Sequence, residues 1–307
     1  MLDFSMIYNL LLIQKKKQDS TGMVDGTCYI NGRFVSVNNA TIPVTDLAIM
    51  RGYGVFDTLR TYGGRPFRME DHLNRLERSA DLTGLTLPWS RTELNQVILS
   101  TLQKNNYPEA NIRIIVTGGE SEDFFTPTGT PSLIVMVTPL HSYPEHCYKT
   151  GAKVVTAKIE RYLSEAKTIN YTSGEVAMNR AKIKDPDIIE VLCVDRNERV
   201  TEGITSNVFI FLGDTLITPG SNILLGITRQ VVLELAEPFF QIEERDLFIS
   251  ELHKADDIFI TGSTKEIMPV TRVDGLTVGD GGCGPNTLRL IDSFEDMKNQ
   301  FISNQER

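Results

Sequence analysis

The sequence predicts an α+β protein of two domains, and three observations carry that prediction. Strand and helix signals alternate along the first half, and paired strand signals recur along the second. Between them, Pro139 to Gly151 carries Pro139, His141, Pro144 and His146 with no periodicity, the composition of a connection. At 307 residues the chain can build two ordinary cores. We read residues 1–22 as an appendage, 23–138 as a small α/β domain, 139–150 as a linker and 151–307 as a larger domain.

The elements follow in order. Ile7 to Ile13 is apolar, but the basic run Lys15-Lys16-Lys17 follows it, the reverse of a secretory signal. It is also too short to span a bilayer. The fold is expected to begin near Met23, because Cys28 to Val35 reads as strand, turn and strand about Asn31-Gly32. Val55 to Tyr62 is rich in β-formers and stops at Gly63-Gly64. Met69, Leu73, Leu76 and Ala80 recur at helical spacing, with Gly84 where a C-cap belongs. Leu94 to Gln103 reads as a second helix, and Ile112 to Thr117 and Leu133 to Thr138 as strands. Beyond the linker, Lys153 to Lys158 is a strand. Ile188 to Val194 and Arg199 to Glu202 form a hairpin, as do Asn207 to Leu212 and Thr215 to Thr218. A helix over Thr228 to Glu237 lies between Gly226 and Pro238.

Composition excludes several functions. A net charge of −9 and a pI near 5.1 leave no concentrated basic surface for nucleic acid. Four scattered cysteines without a CxxC pair, and four histidines, argue against a metal site and for a reducing cytoplasm. No later segment approaches a membrane span. Gly279-Asp280-Gly281-Gly282-Cys283-Gly284 matches GxGxxG, yet no second strand with an acidic residue follows in what reads as a polar tail. It is expected to be a surface turn before the last helix.

Weaker signals remain, each bland alone. Gly226-Ile227-Thr228 opens a helix, where free N–H groups suit a phosphate. Gly262-Ser263-Thr264 follows the apolar run Ile258-Phe259-Ile260 and by itself is a turn. Arg75 lies off the apolar stripe of its helix beside His72 and Arg78, and alone belongs to a solvated face. Lys167 alone is a surface lysine, and Glu202 an exposed strand residue.

In sequence order, several segments gather these residues. They are Tyr29-Ile30-Asn31-Gly32, Arg51-Gly52-Tyr53-Gly54-Val55-Phe56-Asp57-Thr58-Leu59-Arg60, and His72-Leu73-Asn74-Arg75-Leu76. Lys167-Thr168-Ile169-Asn170-Tyr171, Thr201-Glu202-Gly203 with Ser206-Asn207, Leu225-Gly226-Ile227-Thr228-Arg229 and Thr261-Gly262-Ser263-Thr264-Lys265-Glu266-Ile267 complete the set. In order and spacing the chain resembles the class IV aminotransferases across about residues 28 to 290.

The resemblance implies a fold type IV enzyme with pyridoxal 5'-phosphate between a small α/β domain and a larger one built around a β-barrel. It implies Lys167 as the catalytic lysine that carries the cofactor, Glu202 at the pyridine nitrogen and Tyr171 at the ring's phenolic oxygen. Arg75, the backbone of Ile227 and Thr228, and a hydroxyl of Ser263 or Thr264 would hold the phosphate. Arg51, Phe56, Arg113, Ser263 and Thr264 would meet the substrate. A homodimer is implied, with an amino acid and a 2-oxo acid such as 2-oxoglutarate or pyruvate as substrates. Branched-chain enzymes usually carry an aromatic residue where Arg51 stands, so a D-amino-acid transaminase with paired arginines is as well supported as a branched-chain enzyme. A lyase of the aminodeoxychorismate type and a non-catalytic binder are the alternatives.

Deleting residues 1–22 is expected to leave melting temperature and activity nearly unchanged, since no apolar periodicity ties them to a core. Loss of folded protein on truncation would make them an integral element.

Overall fold

In the computed structural model, residues 26–304 are described, so the appendage and the expected start at Met23 lie outside the described residues. β1 (Thr27–Ile30) and β2 (Arg33–Ser36) pair about Asn31-Gly32, which take φ of 44° and 88°. Positive φ at both turn residues matches the right-handed twist of the strands, and Asn-Gly supplies it at little cost. β3 (Gly54–Tyr62), β4 (Arg65–Pro66), β5 (Ala110–Thr117) and β6 (Ser132–Pro139) complete an antiparallel sheet in the order β2-β1-β6-β5-β3-β4.

Helices Met69–Thr83 and Arg91–Gln103 cover one face of this sheet. Leu73, Leu76, Ala80, Leu94 and Ile98 pack there against Leu59, Ile112, Ile114 and Val135. Gly84 at φ 74° ends the first helix, and a Ser90–Glu93 capping box starts the second. Period-two alternation turns the other face of β3 and β5 away from these helices. Phe56 stands opposite Ile115, and Thr58 opposite Arg113. Those four side chains become one wall of a cleft.

Ten strands build the second sheet. They are β7 (Ala152–Lys158), β8 (Ile188–Val194), β9 (Arg199–Gly203), β10 (Asn207–Leu212), β11 (Thr215–Thr218), β12 (Gln241–Glu244), β13 (Leu247–Phe248), β14 (Asp257–Gly262), β15 (Glu266–Val273) and β16 (Leu276–Thr277). The order β12-β11-β10-β14-β15-β7-β8-β9-β13, with β16 on β15, curls into a half-barrel. Both expected hairpins are present as β8–β9 and β10–β11. Sequence periodicity missed the helix Thr172–Lys184, which joins parallel β7 and β8 and buries only Gly174 and Ala181 fully. So narrow a stripe leaves little apolar pattern to read. The stretch 139–151 carries a helical turn, His146–Lys149, and Cys147 in it packs into the core of the second sheet.

The glycine-rich segment 279–284 is a turn before the helix Pro285–Ser303. That helix corrects the expectation of a polar tail. Leu290 and Phe294 are buried in a core with Phe209, Phe211, Phe259 and Val232. No helix among the described residues is long and apolar enough to cross a membrane.

The sheets meet along a short seam. Phe56 N–H donates to Lys167 O at 2.9 Å, and Ile169 N–H to Gly54 O at 3.1 Å, so the 167–169 segment adds to the end of β3. Further along β3, Arg60 pairs with Glu266 of β15 at 2.7 Å. Phe294→Ala, which empties the center of the core under the last helix, is expected to lower the unfolding free energy by about 3–5 kcal/mol in denaturant melts. A loss below about 1 kcal/mol would mean that this helix is not part of the core.

Candidate active site

Two adjoining cavities open at the seam. The first is a cup of roughly 440 Å³ of empty space, open to solvent, and the second a larger cleft. Lys167, Tyr171, Thr205 and Ser263 form the wall they share. Lys167 comes from the segment added to β3, and its backbone N–H donates to Ser79 Oγ at 3.0 Å. Its Nζ lies 4.8 Å from the center of the Phe56 ring. Burial, with the charge of Arg75 and Arg161 nearby, lowers its pKa to about 7. An amine so placed is substantially neutral at physiological pH and able to attack a carbonyl.

Arg75 is buried, contrary to the solvated face its helix position suggested. Asp57, wholly buried on β3, accepts from Arg75 Nε and Nη2 at 2.8 Å each and lies 2.6 Å from His72 Nδ1. Burial alone would raise the Asp57 carboxyl, but Arg75 and His72 outweigh it and hold it far below the usual range. Burial lowers the pKa of His72 despite Asp57, so the trio stays one carboxylate, one guanidinium and a neutral ring. Arg75 Nη1 reaches Leu225 O at 3.3 Å, at the lip of the cup.

Ile227 and Thr228 begin the helix Ile227–Ala236, where first-turn N–H groups have no preceding carbonyl. Gly226 before them must be glycine, because a Cβ would stand 2.1 Å from Asn207 Oδ1. Asn207 in turn donates to Leu224 O at 2.8 Å and fixes the approach to the helix. Thr261 adds a buried hydroxyl in the cup wall that finds no hydrogen-bond partner among the described residues. Arg75, free helical N–H groups and an orphaned hydroxyl together fit a phosphate. Ser263 lies beside them, but its Oγ donates across the seam to Thr58 O at 3.0 Å. Thr264 lines the cleft and not the cup, whereas Thr261 and Ser263 line the cup.

Glu202 is 3% exposed rather than an open strand residue. Its Oε1 pairs with Arg161 Nη1 at 2.6 Å and its Oε2 accepts from Leu224 N–H at 3.0 Å. Burial pushes its pKa above the ordinary value, and Arg161 offsets only part of that rise. Arg161 carries no sequence signal and was invisible before the fold. Tyr171 packs edge-on to Phe56 at 5.7 Å, and burial raises its hydroxyl pKa.

Phe56 and Arg113 line the cleft together, with the guanidinium 5.2 Å from the ring center. Arg51 does not join them. It is exposed at the end of the helix Leu47–Arg51, its Nη1 donates to Met50 O at 2.9 Å, and its guanidinium lies 6.0 Å from the Phe125 ring. Asp46 caps that helix and Asp57 holds Arg75, so neither acid neutralises Arg51.

Comparison with known proteins fits this geometry. The family described as amino-transferase class IV matches residues 54–273. The chain is 33% identical to a putative branched-chain-amino-acid aminotransferase of Methanocaldococcus jannaschii, over 89% of this chain and 96% of that protein. It is 32% identical to a D-alanine aminotransferase of Listeria innocua, over 86% of this chain and 93% of that protein. The crystal structure of the Escherichia coli branched-chain amino acid aminotransferase superposes with a TM-score of 0.83 at 29% identity, covering 89% and 94% of the two chains. A T.th. branched-chain amino acid aminotransferase, solved with pyridoxamine 5'-phosphate, gives 0.83 at 26% identity over the same shares.

The chain belongs to the class IV aminotransferases, and it is a transaminase of fold type IV dependent on pyridoxal phosphate. The cofactor supplies an aldehyde that takes up amino groups and a protonated ring that withdraws electrons. Uptake of pyridoxal phosphate by apoprotein, followed by visible absorbance, is expected to accelerate as the pH rises through about 7 and then level off. A rate still climbing toward the ordinary lysine value of 10.5 would mean that Lys167 keeps its normal basicity.

Proposed function

We propose that the enzyme transfers the amino group of a branched-chain L-amino acid or a D-amino acid to a 2-oxo acid such as 2-oxoglutarate or pyruvate. It would do so as a homodimer in the cytoplasm, with the division near residues 139–150 separating its two domains. One observation carries the substrate class. Arg113 meets no acidic side chain among the described residues, and it stands in a cleft whose other walls include Phe56, Ile115, Ile134 and Ile169. A free guanidinium suits a carboxylate, and the apolar walls suit an aliphatic side chain. The relatives and solved structures named above are aminotransferases, which favours transamination over lyase chemistry and over mere binding.

In this reading Lys167 Nζ carries the cofactor and moves the proton at the substrate Cα. Glu202, paired with Arg161, would face the pyridine nitrogen and hold its proton there. Tyr171 hydrogen-bonds the phenolic oxygen. Arg75, Ile227 N–H, Thr228 and Thr261 take the phosphate, and Ser263 and Thr264 border the substrate.

Dimerisation is supported by apolar residues at the cleft mouth. Val44, Ile49 and Phe125 are 75%, 53% and 73% exposed, while Ile42 and Ala48 of the same segment line the cleft. Exposed apolar side chains of this kind call for cover, and a second copy would provide it. Arg51 lies near one of them, Phe125, and would reach the partner's cleft, where it and Arg113 would clamp a carboxylate. That arrangement favours the D-amino-acid reading, whereas the aliphatic walls favour the branched-chain one.

A panel of L- and D-amino acids, with 2-oxoglutarate and pyruvate as acceptors, separates them. Arg113→Ala is expected to lower kcat/KM by about 10- to 150-fold, the loss of one charged hydrogen bond. Arg51→Tyr is expected to weaken glutamate and 2-oxoglutarate by a similar factor and to spare leucine and isoleucine. Values within about twofold of wild type for both variants would eliminate the clamp.

A further inference from the structure

Two tight turns project past the end of the β10–β14 ladder, toward both cavities. Backbone pairing of these strands stops at Asn207 opposite Thr261. Ahead of Asn207, the turn Gly203-Ile204-Thr205-Ser206 closes on itself through Gly203 N–H to Ser206 O at 2.7 Å. Past Thr261, the turn Gly262-Ser263-Thr264-Lys265 closes through Lys265 N–H to Gly262 O at 3.0 Å. Thr205 and Ser263, one from each turn, stand in the wall shared by cup and cleft.

Where the ladder ends, a chain of side chains ties one turn to the other. Lys265 Nζ donates to Thr205 Oγ1 at 2.6 Å, and Thr205 Oγ1 donates to Glu190 Oε2 at 2.7 Å. The same Glu190 oxygen accepts from Ser206 Oγ at 3.0 Å and lies 3.3 Å from Lys265 Nζ. Glu190 is 0% and Lys265 2% exposed. Gly203 makes room for the carboxylate, since a Cβ there would stand 2.9 Å from Glu190 Cγ.

A buried ion pair is a poor source of net stability, because desolvation of both charges offsets their attraction. What such a pair does supply is geometry: hydrogen-bonded charges in a dry interior admit few alternative arrangements. Here the one donor and one of the two acceptor sites of the Thr205 hydroxyl are committed to the pair, which fixes its rotamer at the junction of the cavities.

We propose that Lys265 and Glu190 are positioning residues, an ion pair that pins the Thr205 hydroxyl and thereby sets the spacing of the two turns between which cofactor and substrate are held. The proposal rests on the cofactor seat described above. Lys265 acts through Thr205, because Glu190 neutralises its charge before any substrate carboxylate could use it.

The double variant Glu190→Gln, Lys265→Met removes both charges at similar volume and leaves a side-chain acceptor for Thr205. Thr205→Val removes the hydroxyl at a solvent-exposed position and leaves Lys265 and Glu190 in direct contact at 3.3 Å. Both are expected to keep a melting temperature near wild type. Both should bind pyridoxal phosphate on the order of tenfold more weakly in absorbance titrations of apoprotein, and raise the KM for the amino donor by a similar factor, with kcat less affected. Thr205→Ser, which keeps the hydroxyl, should recover most of the affinity. Wild-type affinity and KM, within about twofold, in both the double variant and Thr205→Val would overturn the proposal. So would a double variant that does not fold beside a Thr205→Val enzyme of normal affinity, since the pair would then serve folding alone. Wild-type apoprotein that takes up no pyridoxal phosphate is a separate failure: the cofactor seat is then misassigned, and the positioning role of Lys265 and Glu190 falls with it.

Discussion

The two backbone groups of β3 that bond to the 167–169 segment govern the rest of the site. Gly54 O and Phe56 N–H, on either side of the Val55–Thr168 bridge, hold a piece of chain that belongs to neither sheet's core. Gly54 is required there, since a Cβ would stand 2.8 Å from Val116 O and 2.9 Å from Ile169 Cδ1. That contact sets Lys167 against Phe56 on one side and the cup on the other. The curl of the larger sheet then brings Glu202, Gly226 and Thr261 around it.

Charge is distributed around the lysine with one asymmetry. Arg75 is matched by Asp57, Arg161 by Glu202 and Lys265 by Glu190, each in a close and largely buried pair. Among the described residues Lys167 alone of these four cations has no carboxylate in salt-bridge contact. Burial therefore acts on it unopposed at short range, and its amine becomes the easiest of the four to deprotonate. A protein of net charge −9 thus keeps a nucleophilic amine by withholding one acid from one place.

Much of the fold was legible in the sequence because its elements obey local rules. The Asn31-Gly32 turn, the Gly84 C-cap and the stripe Met69-Leu73-Leu76-Ala80 each follow from spacing and backbone preference. The helix Thr172–Lys184 was not legible, since its burial rests on two small residues. In the site, Lys167, Glu202 and Arg75 were reachable only through the order of motifs, because each alone looks like a surface residue. Asp57, Arg161, Thr261 and Glu190 were beyond reach. Their significance comes from burial and from partners as many as 75 residues away, as with Lys265 and Glu190. Arg51 shows the converse, a residue within a strong motif whose own chain leaves it in solvent.

The hydrogen bond from Ser263 to Thr58 spans the seam and helps roof the cavities. A seat divided between two sheets behaves as a mortise: whatever fills it fastens both halves. Occupancy and cohesion are therefore one equilibrium seen from two sides, because a ligand that binds the joined form and not the parted one stabilises it by mass action. Cofactor held in such a seat would therefore resist the parting of the two sheets as well as serve the reaction.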